Sequence, residues 1–206
     1  MKTKILIVLL AAFAFSFTSC EDTKKKEEER AKIEQQEAER QAEMAAEEER
    51  MEMESNSIAA KAMQTDSLST LVSALQNADL ADTFTEDEGP YTVFAPTNSA
   101  FEKVDQATMD ELMKSENQDQ LATVLKYHVV DDEITASDLS QMIEDGEGEA
   151  SFSTMDGAEL KVMMDGDNIV LQDENGNKAT IIATDIEASN GMVHLIDAVV
   201  MKKKES

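Results

Sequence analysis

The stretch YTVFAPTNSAF, at residues 91–101, decides the fold of this chain. Its residues 92–94 are β-branched or aromatic, which predicts a strand that packs in a core. Pro96 cannot continue a central strand, so the strand should end there. Thr97 or Asn98 can then cap the turn into a short helical segment. We therefore expect a core strand followed at once by a helix.

A second stretch, NGMVHLID at residues 190–197, has the same character. Gly191 can adopt the positive φ that a turn requires, because it has no Cβ atom. Val193, Leu195 and Ile196 then predict another core strand.

The two stretches, in this order and with the Tyr127–His128 pair between them, closely resemble the signatures of fasciclin domains. The resemblance covers residues 57–201, with Ser99 where the family usually has an acid. It implies an α+β fold, a β-sandwich wedge with packed helices, in which the two signatures lie on adjacent strands. The matching residues, which the resemblance implies to be mainly structural, are Thr92, Val93, Phe94, Ala95, Pro96, Thr97, Asn98, Phe101, Asn190, Gly191, His194, Ile196 and Asp197.

The periodicity of the sequence independently indicates an α+β domain. Apolar residues at helical spacing predict helices over 68–75 and 121–125, and Thr135 with Asp138 predicts the start of another. Thr108 and Glu111 predict a capping box before Leu112. Later, short apolar runs alternate with turn pairs that predict hairpins. These pairs are Asp156-Gly157, Asp165-Gly166 and Asn175-Gly176.

The N-terminus predicts export and lipid attachment. Residues 1–19 have two lysines, an apolar run too short to span a bilayer, and small residues before Cys20, as in a signal peptide. The ending FTSC resembles a bacterial lipobox, which implies a diacylglycerol or acyl (palmitate-type) anchor on Cys20. An ordinary secretory signal that ends near a cysteine is the alternative. The charged residues 21–26 resemble the surface-export tether of Bacteroidetes-type lipoproteins, and a plain solvated linker is equally open.

Residues 20–56 predict a lipid-anchored, charged helical stalk, because strong helix formers fill the segment and it contains no Gly or Pro. Its apolar residues do not keep a heptad repeat, so a solvated spacer is favoured over a partner helix. The fasciclin domain should then occupy residues 57–202, and residues 203–206 form a charged tail.

Composition excludes several functions. The net charge of −26 argues against nucleic acid as a partner, since phosphates require Lys and Arg. A single cysteine allows no disulfide within the chain.

The sequence offers no recognisable metal or catalytic site. His128 and His194 have no evident metal or triad partners, and each is favoured as a buried, internally bonded residue. Acidic runs at 165–167 and 173–177 are better explained as hairpin turns than as calcium loops. We predict no catalytic residue, no metal and no cofactor besides the acyl anchor.

The family resemblance implies an adhesion and interaction module. Positions implicated in receptor binding in animal members correspond here to Tyr127, His128, Asp185 and Ile186. We therefore predict a non-enzymatic lipoprotein of the bacterial outer membrane, with possible surface exposure, that binds a protein or polysaccharide of the cell surface or matrix. A periplasm-facing module that binds a small ligand or assists envelope assembly is the alternative. The sequence leaves self-association open.

Overall fold

The computed structural model describes residues 22–81, 84 and 89–203. The predicted signal peptide, Cys20 and residues 204–206 of the predicted tail lie outside these residues. The chain divides into two compact units, with the boundary between Glu48 and Glu49. Both stretches that resemble the fasciclin signatures lie in the second unit.

Helix α1, Asp22–Ser55, forms the segment predicted to be a stalk. Its side chains at residues 30–53 are exposed, as expected for a helix stabilised by helix-forming residues rather than by packing. The last turn nevertheless belongs to the folded unit, because the Ser189 hydroxyl donates to the carbonyl of Met53 at 2.6 Å. The unit thus begins before residue 57, where the sequence placed its start. Within the described ranges, no helix combines the length and apolar character needed to cross a membrane.

The described residues of the folded unit form helices packed on one seven-stranded sheet. The helices are α2 (Ile58–Gln64), α3 (Ser69–Asn77), α4 (Asn98–Glu102), α5 (Gln106–Leu112), α6 (Gln118–Tyr127) and α7 (Ala136–Asp145). The strands are β1 (Tyr91–Pro96), β2 (Val129–Val130), β3 (Glu149–Ser153), β4 (Glu159–Asp165), β5 (Asn168–Gln172), β6 (Lys178–Ala188) and β7 (Gly191–Ile196).

The strand order is β2-β1-β7-β6-β5-β4-β3. Strands β3 to β6 pair antiparallel in sequence, and the three predicted turn pairs connect them. Strand β1 pairs with β7 in parallel, in a register that runs from Tyr91–Gly191 to Pro96–Ile196. The implied placement of the two signatures on adjacent strands is confirmed.

The core has two clusters, one on each side of β1 and β7. Val93 and Val193 face the cluster under α2, α3 and α6. Phe94 and Ile196 face the cluster under α7 and strands β3 to β6. Because both faces of these strands are covered, their residues are buried without alternation.

Helix capping differs in part from the prediction. Thr135 and Asp138 form the complete capping box of α7, as predicted. The box predicted at Thr108 and Glu111 is wrong, because Asp105 caps α5 by accepting from the Thr108 backbone N–H at 3.2 Å. An aspartate three residues upstream satisfies that N–H, so helix α5 begins one turn earlier than expected.

Asn98 is also a cap, although for a helix other than the one expected. Its Oδ1 accepts from the backbone N–H of Thr70 at 2.9 Å, at the start of α3. Its Nδ2 donates to the carbonyl of Asp66 at 3.0 Å. The first signature therefore ties β1 to the first helical hairpin of the unit. Thr97 stands at the N-cap of α4, where its hydroxyl makes no cap bond to the helix backbone but shares a hydrogen bond of 3.1 Å with the Ser99 hydroxyl.

Candidate functional site

The Tyr127–His128 pair ends helix α6 inside the core. Tyr127 has no exposed surface, and its hydroxyl donates to the carbonyl of Glu159 at 2.9 Å. Burial raises the pKa of this phenol to about 12. The hydroxyl therefore stays protonated at neutral pH, and the side chain connects α6 to β4.

His128 is equally internal, with 2% of its surface exposed. Its Nδ1 donates to the carbonyl of Val124 at 2.7 Å, and its Nε2 accepts from the backbone N–H of Val200 at 3.2 Å. Burial lowers the pKa of the imidazole to about 4, so the ring is neutral at pH 7. Both nitrogens are satisfied within the fold.

Neither Tyr127 nor His128 therefore presents its side chain to a partner in this structure. The two residues match the alternative of a buried, internally bonded pair. Because Tyr127 and His128 are buried, backbone included, a partner at this end of α6 can contact only neighbouring residues.

Asp185 and Ile186, by contrast, lie at an irregular part of β6. The pairing of β6 with β7 shifts register between Ile181 and Ala183 and again between Ala183 and Ile186. We call residues 182–186 the bulge segment. Ile182 is 56% exposed, although a strand normally turns large apolar side chains inward. Asp185 is exposed, while Ile186 is half-buried against the first core cluster.

The bulge segment is fixed from two sides. Asp185 has a φ of 58°, in the left-handed region that Asp tolerates better than most residues. Its backbone N–H donates to His194 Nδ1 at 3.2 Å, and its Oδ1 accepts from the Ala136 N–H at 2.9 Å. The exposed acid therefore has a defined position at the start of α7.

The buried side chain of His194 connects the bulge segment to the loop before α7. It is fully buried, and its Nε2 donates to the carbonyl of Ile134 at 2.7 Å. Because Nδ1 accepts and Nε2 donates, the ring is neutral, and burial lowers its pKa. His194 thus joins β7, the bulge of β6 and the loop before α7. It is a positioning residue rather than a contact residue.

The remaining signature residues have structural roles. Asn190 accepts at Oδ1 from the Ile58 N–H at 2.9 Å and donates from Nδ2 to the Phe84 carbonyl at 3.0 Å. Gly191 has a φ of 145°, and a Cβ there would lie 1.9 Å from the carbonyl oxygen of Tyr91. These two residues allow α2 and β1 to approach the β6–β7 turn closely.

Thr92 and Asp197 bond the backbone of neighbouring segments in the same way. The Thr92 hydroxyl donates to the Asp132 carbonyl at 2.7 Å and accepts from the Ile134 N–H at 2.8 Å. Asp197 accepts from the Thr180 N–H at 2.7 Å and from Lys103 Nζ at 3.1 Å. The contacts of these two residues are all made within the folded unit.

The acidic run at 173–177 is a turn that also binds the C-terminal segment. Asp173 is buried, and its carboxylate accepts from the backbone of Asn175 and Asn177, from Asn177 Nδ2 and from the Met201 N–H. All its contacts are therefore internal. Among the described residues, no group of three His, Cys, Asp or Glu side chains is placed to hold a metal ion.

Sequence reasoning missed the exposure of Ile182. The signal was the adjacent pair Ile181–Ile182, since neighbouring residues of a strand point to opposite faces. It also missed that Lys203, the first residue of the predicted tail, is bonded to the folded unit. Lys203 donates its backbone N–H to Glu174 Oε2 at 3.0 Å.

Comparison with known proteins is consistent with this geometry. A family model described as "Fasciclin domain" matches residues 66–202. Protein sll1483 of Synechocystis is 40% identical over 151 residues, which cover 70% of this chain and 73% of that protein. The cell surface glycolipoprotein MPB83 of Mycobacterium bovis is 32% identical over 152 residues, which cover 72% of this chain and 62% of that protein.

A solved structure shares the fold. The structure is a FAS1 domain pair from the insect cell adhesion molecule fasciclin I, with a TM-score of 0.64 and 18% identity. The match covers 71% of this chain and 51% of that one. At this identity the likeness concerns the fold alone.

Proposed function

This chain belongs to the fasciclin family, and we propose that it mediates adhesion, or binding of a protein or polysaccharide, at the cell envelope. In this proposal Cys20 carries the acyl anchor, helix α1 is the spacer, and the folded unit makes the contact. The anchor lies in the outer membrane of a Bacteroidetes-type bacterium. The proposal includes no catalytic activity and no cofactor besides the acyl anchor.

The bulge segment is the observation that carries the proposal. It combines an exposed apolar side chain, Ile182, with an exposed acid, Asp185, on a backbone fixed by His194 and Ala136. Binding loses less conformational entropy when the contact surface is already ordered. A relative supports the class of function, since MPB83 is described as a cell surface glycolipoprotein.

A bead assay tests the contact. Beads carrying the chain from residue 22 should bind cells or matrix saturably. A double variant, Ile182→Ser with Asp185→Asn, should reduce retention about tenfold, because an interface centre of this kind contributes on the order of 1–3 kcal/mol. Asparagine keeps the Oδ1 acceptor and the tolerance for positive φ, so the fold is preserved. Met164→Ser, at a side chain 45% exposed on β4, is the matched control.

Retention no greater than that of an unrelated acidic protein would contradict adhesion. Equal retention of the double variant and the parent would show that the contact lies outside the bulge segment.

Protease shaving of intact cells tests the location. Trypsin should release the folded unit from intact cells carrying the wild-type chain, with lysed cells and a Cys20→Ala variant as controls. Protection until lysis would place the unit in the periplasm and favour the alternative role in small-ligand binding or envelope assembly.

A further inference from the structure

An open groove lies between helices α5 and α6 and the C-terminal strap, which we define as residues 199–203. Its volume is 660 Å³. Leu112 of α5, Val124 of α6 and Met201 of the strap give it an apolar floor, and all three side chains are half-buried. None of the residues of the bulge segment lines this groove, so it is separate from the proposed adhesion surface.

The strap forms a fixed wall. Val200 is fully buried, and its N–H donates to His128 Nε2 at 3.2 Å. Met201 donates its N–H to Asp173 Oδ2 at 3.1 Å and accepts at its carbonyl from Asn175 Nδ2 at 2.8 Å. The wall is therefore ordered before a ligand arrives, which lowers the entropic cost of binding.

The groove is lined by basic side chains, which are a minority in this acidic chain. The net charge of the whole chain is −26, yet Lys202 and Lys203 line the groove and Glu111 is the acid among the lining residues. Lys114 lies 2.9 Å from the Glu111 carboxylate, and Lys202 lies 3.4 Å from Asp156. Within residues 22–81, 84 and 89–203, the ammonium of Lys203 makes no ion pair.

These features suit a ligand with a long apolar part and one negative charge. A volume of 660 Å³ falls within the range of about 300–1,000 Å³ typical of sites for small molecules. An apolar floor favours hydrocarbon, since its burial removes apolar surface from water. An exposed ammonium favours a carboxylate, with which it makes a charge-assisted hydrogen bond.

We propose that this groove binds one long-chain fatty acid, with the hydrocarbon chain on Leu112, Val124 and Met201 and the carboxylate at Lys203. The site gives the chain a ligand that is independent of its adhesion partner. A negative adhesion assay would not contradict fatty-acid binding at this groove, and a negative fatty-acid assay would not contradict adhesion.

The test uses the chain from residue 22, which contains the whole compact unit that begins at Glu49. A dansyl-labelled undecanoic acid should bind with a saturable rise in fluorescence, and oleate should displace it at one equivalent. Lys203→Glu should weaken binding about tenfold, as expected for loss of one charge-assisted bond. Val124→Glu should weaken it at least as much. Lys178→Glu, which breaks an exposed ion pair with Asp165 on the sheet, should leave affinity unchanged.

Urea unfolding of each variant separates loss of the site from loss of the fold. Three results would overturn the proposal: no saturable fluorescence change, equal affinity of the Lys203→Glu variant and the parent, or equal binding of oleyl alcohol and oleate. Binding to anionic phospholipid vesicles without binding of monomeric oleate would also overturn it and indicate a membrane-facing surface instead.

Discussion

The backbone N–H of Asp185 donates to the Nδ1 atom of His194 at 3.2 Å, so a buried ring on β7 fixes an exposed residue on β6. The same ring donates to the carbonyl of Ile134 in the loop before α7. The conformation of the bulge segment is therefore a property of the core. Substitutions far below the surface should alter it.

His194→Leu should lower the free energy of unfolding by about 2–3 kcal/mol, because the buried carbonyl of Ile134 loses its donor and Asp185 N–H loses its acceptor. Urea unfolding followed by circular dichroism measures this change. Ile182→Leu, at an exposed position of the same strand, is the control and should differ little from the parent. An unchanged midpoint for His194→Leu would show that water or a neighbouring group replaces both bonds.

Stability should fall as the pH is lowered. The pKa of His128 is lowered to about 4 in the folded chain, whereas an unfolded histidine titrates near 6.5. Between these values the unfolded state binds a proton that the folded state does not, so acid favours unfolding. The slope is about 1.4 kcal/mol per pH unit. His194 acts in the same direction, because its pKa is also lowered by burial.

Urea midpoints measured between about pH 7 and 4.5 test this linkage. His128→Gln cannot take up the proton, so it should be less stable at neutral pH and show a shallower dependence. The same slope in the parent and this variant would contradict the role assigned to His128.

Gly191→Ala should be the most damaging single-methyl change in the sheet. A Cβ at this position would lie 1.9 Å from the Tyr91 carbonyl oxygen, and the φ of 145° is one that other residues avoid. We expect a loss of at least about 3 kcal/mol, or failure to fold. Gly166→Ala is the control, since its Cβ would meet nothing within 4 Å and only its φ of 66° is unfavourable. Thermal unfolding should separate the two variants clearly.

Limited trypsin digestion of the chain from residue 22 should leave a resistant fragment that begins near the end of α1. The side chains at residues 30–53 are exposed, and Arg30, Lys32 and Arg40 lie in the unit before Glu49. Cleavage requires the backbone to open locally, which is easier where the side chains are exposed than in a packed core. Mass spectrometry identifies the fragment. Loss of the folded unit at the same rate as the helix would contradict its independent stability.

The hairpins were the most predictable part of the structure. Turn pairs such as Asn175-Gly176 determine hairpins locally, because the backbone needs positive φ there. The pairing of β1 with β7 came from the family resemblance, since no periodicity relates strands so far apart. Capping was only partly predictable. Thr108 satisfies the pattern of a cap, but Asp105 competes for the same role and is placed one turn earlier.

The candidate site could not be predicted from the sequence to the same extent. Tyr127 and His128 match motif positions, yet a motif does not reveal whether a side chain points into the core. That direction depends on the C-terminal strap, whose Val200 N–H occupies His128 Nε2. The groove likewise depends on residues that are distant in sequence, such as Val124 and Met201. Only the tertiary fold brings them together.

The parallel register of Tyr91 with Gly191 also sets the order in which the domain can form. A chain synthesised from its N-terminus presents β1 and its antiparallel neighbour β2 well before β7, whose Gly191 pairs with Tyr91. During that interval, Val93 and Phe94 lack the strand that covers them, and long-range pairings of this kind form slowly. The apolar side chains of the first signature therefore stay without their final partners until the second signature has been synthesised.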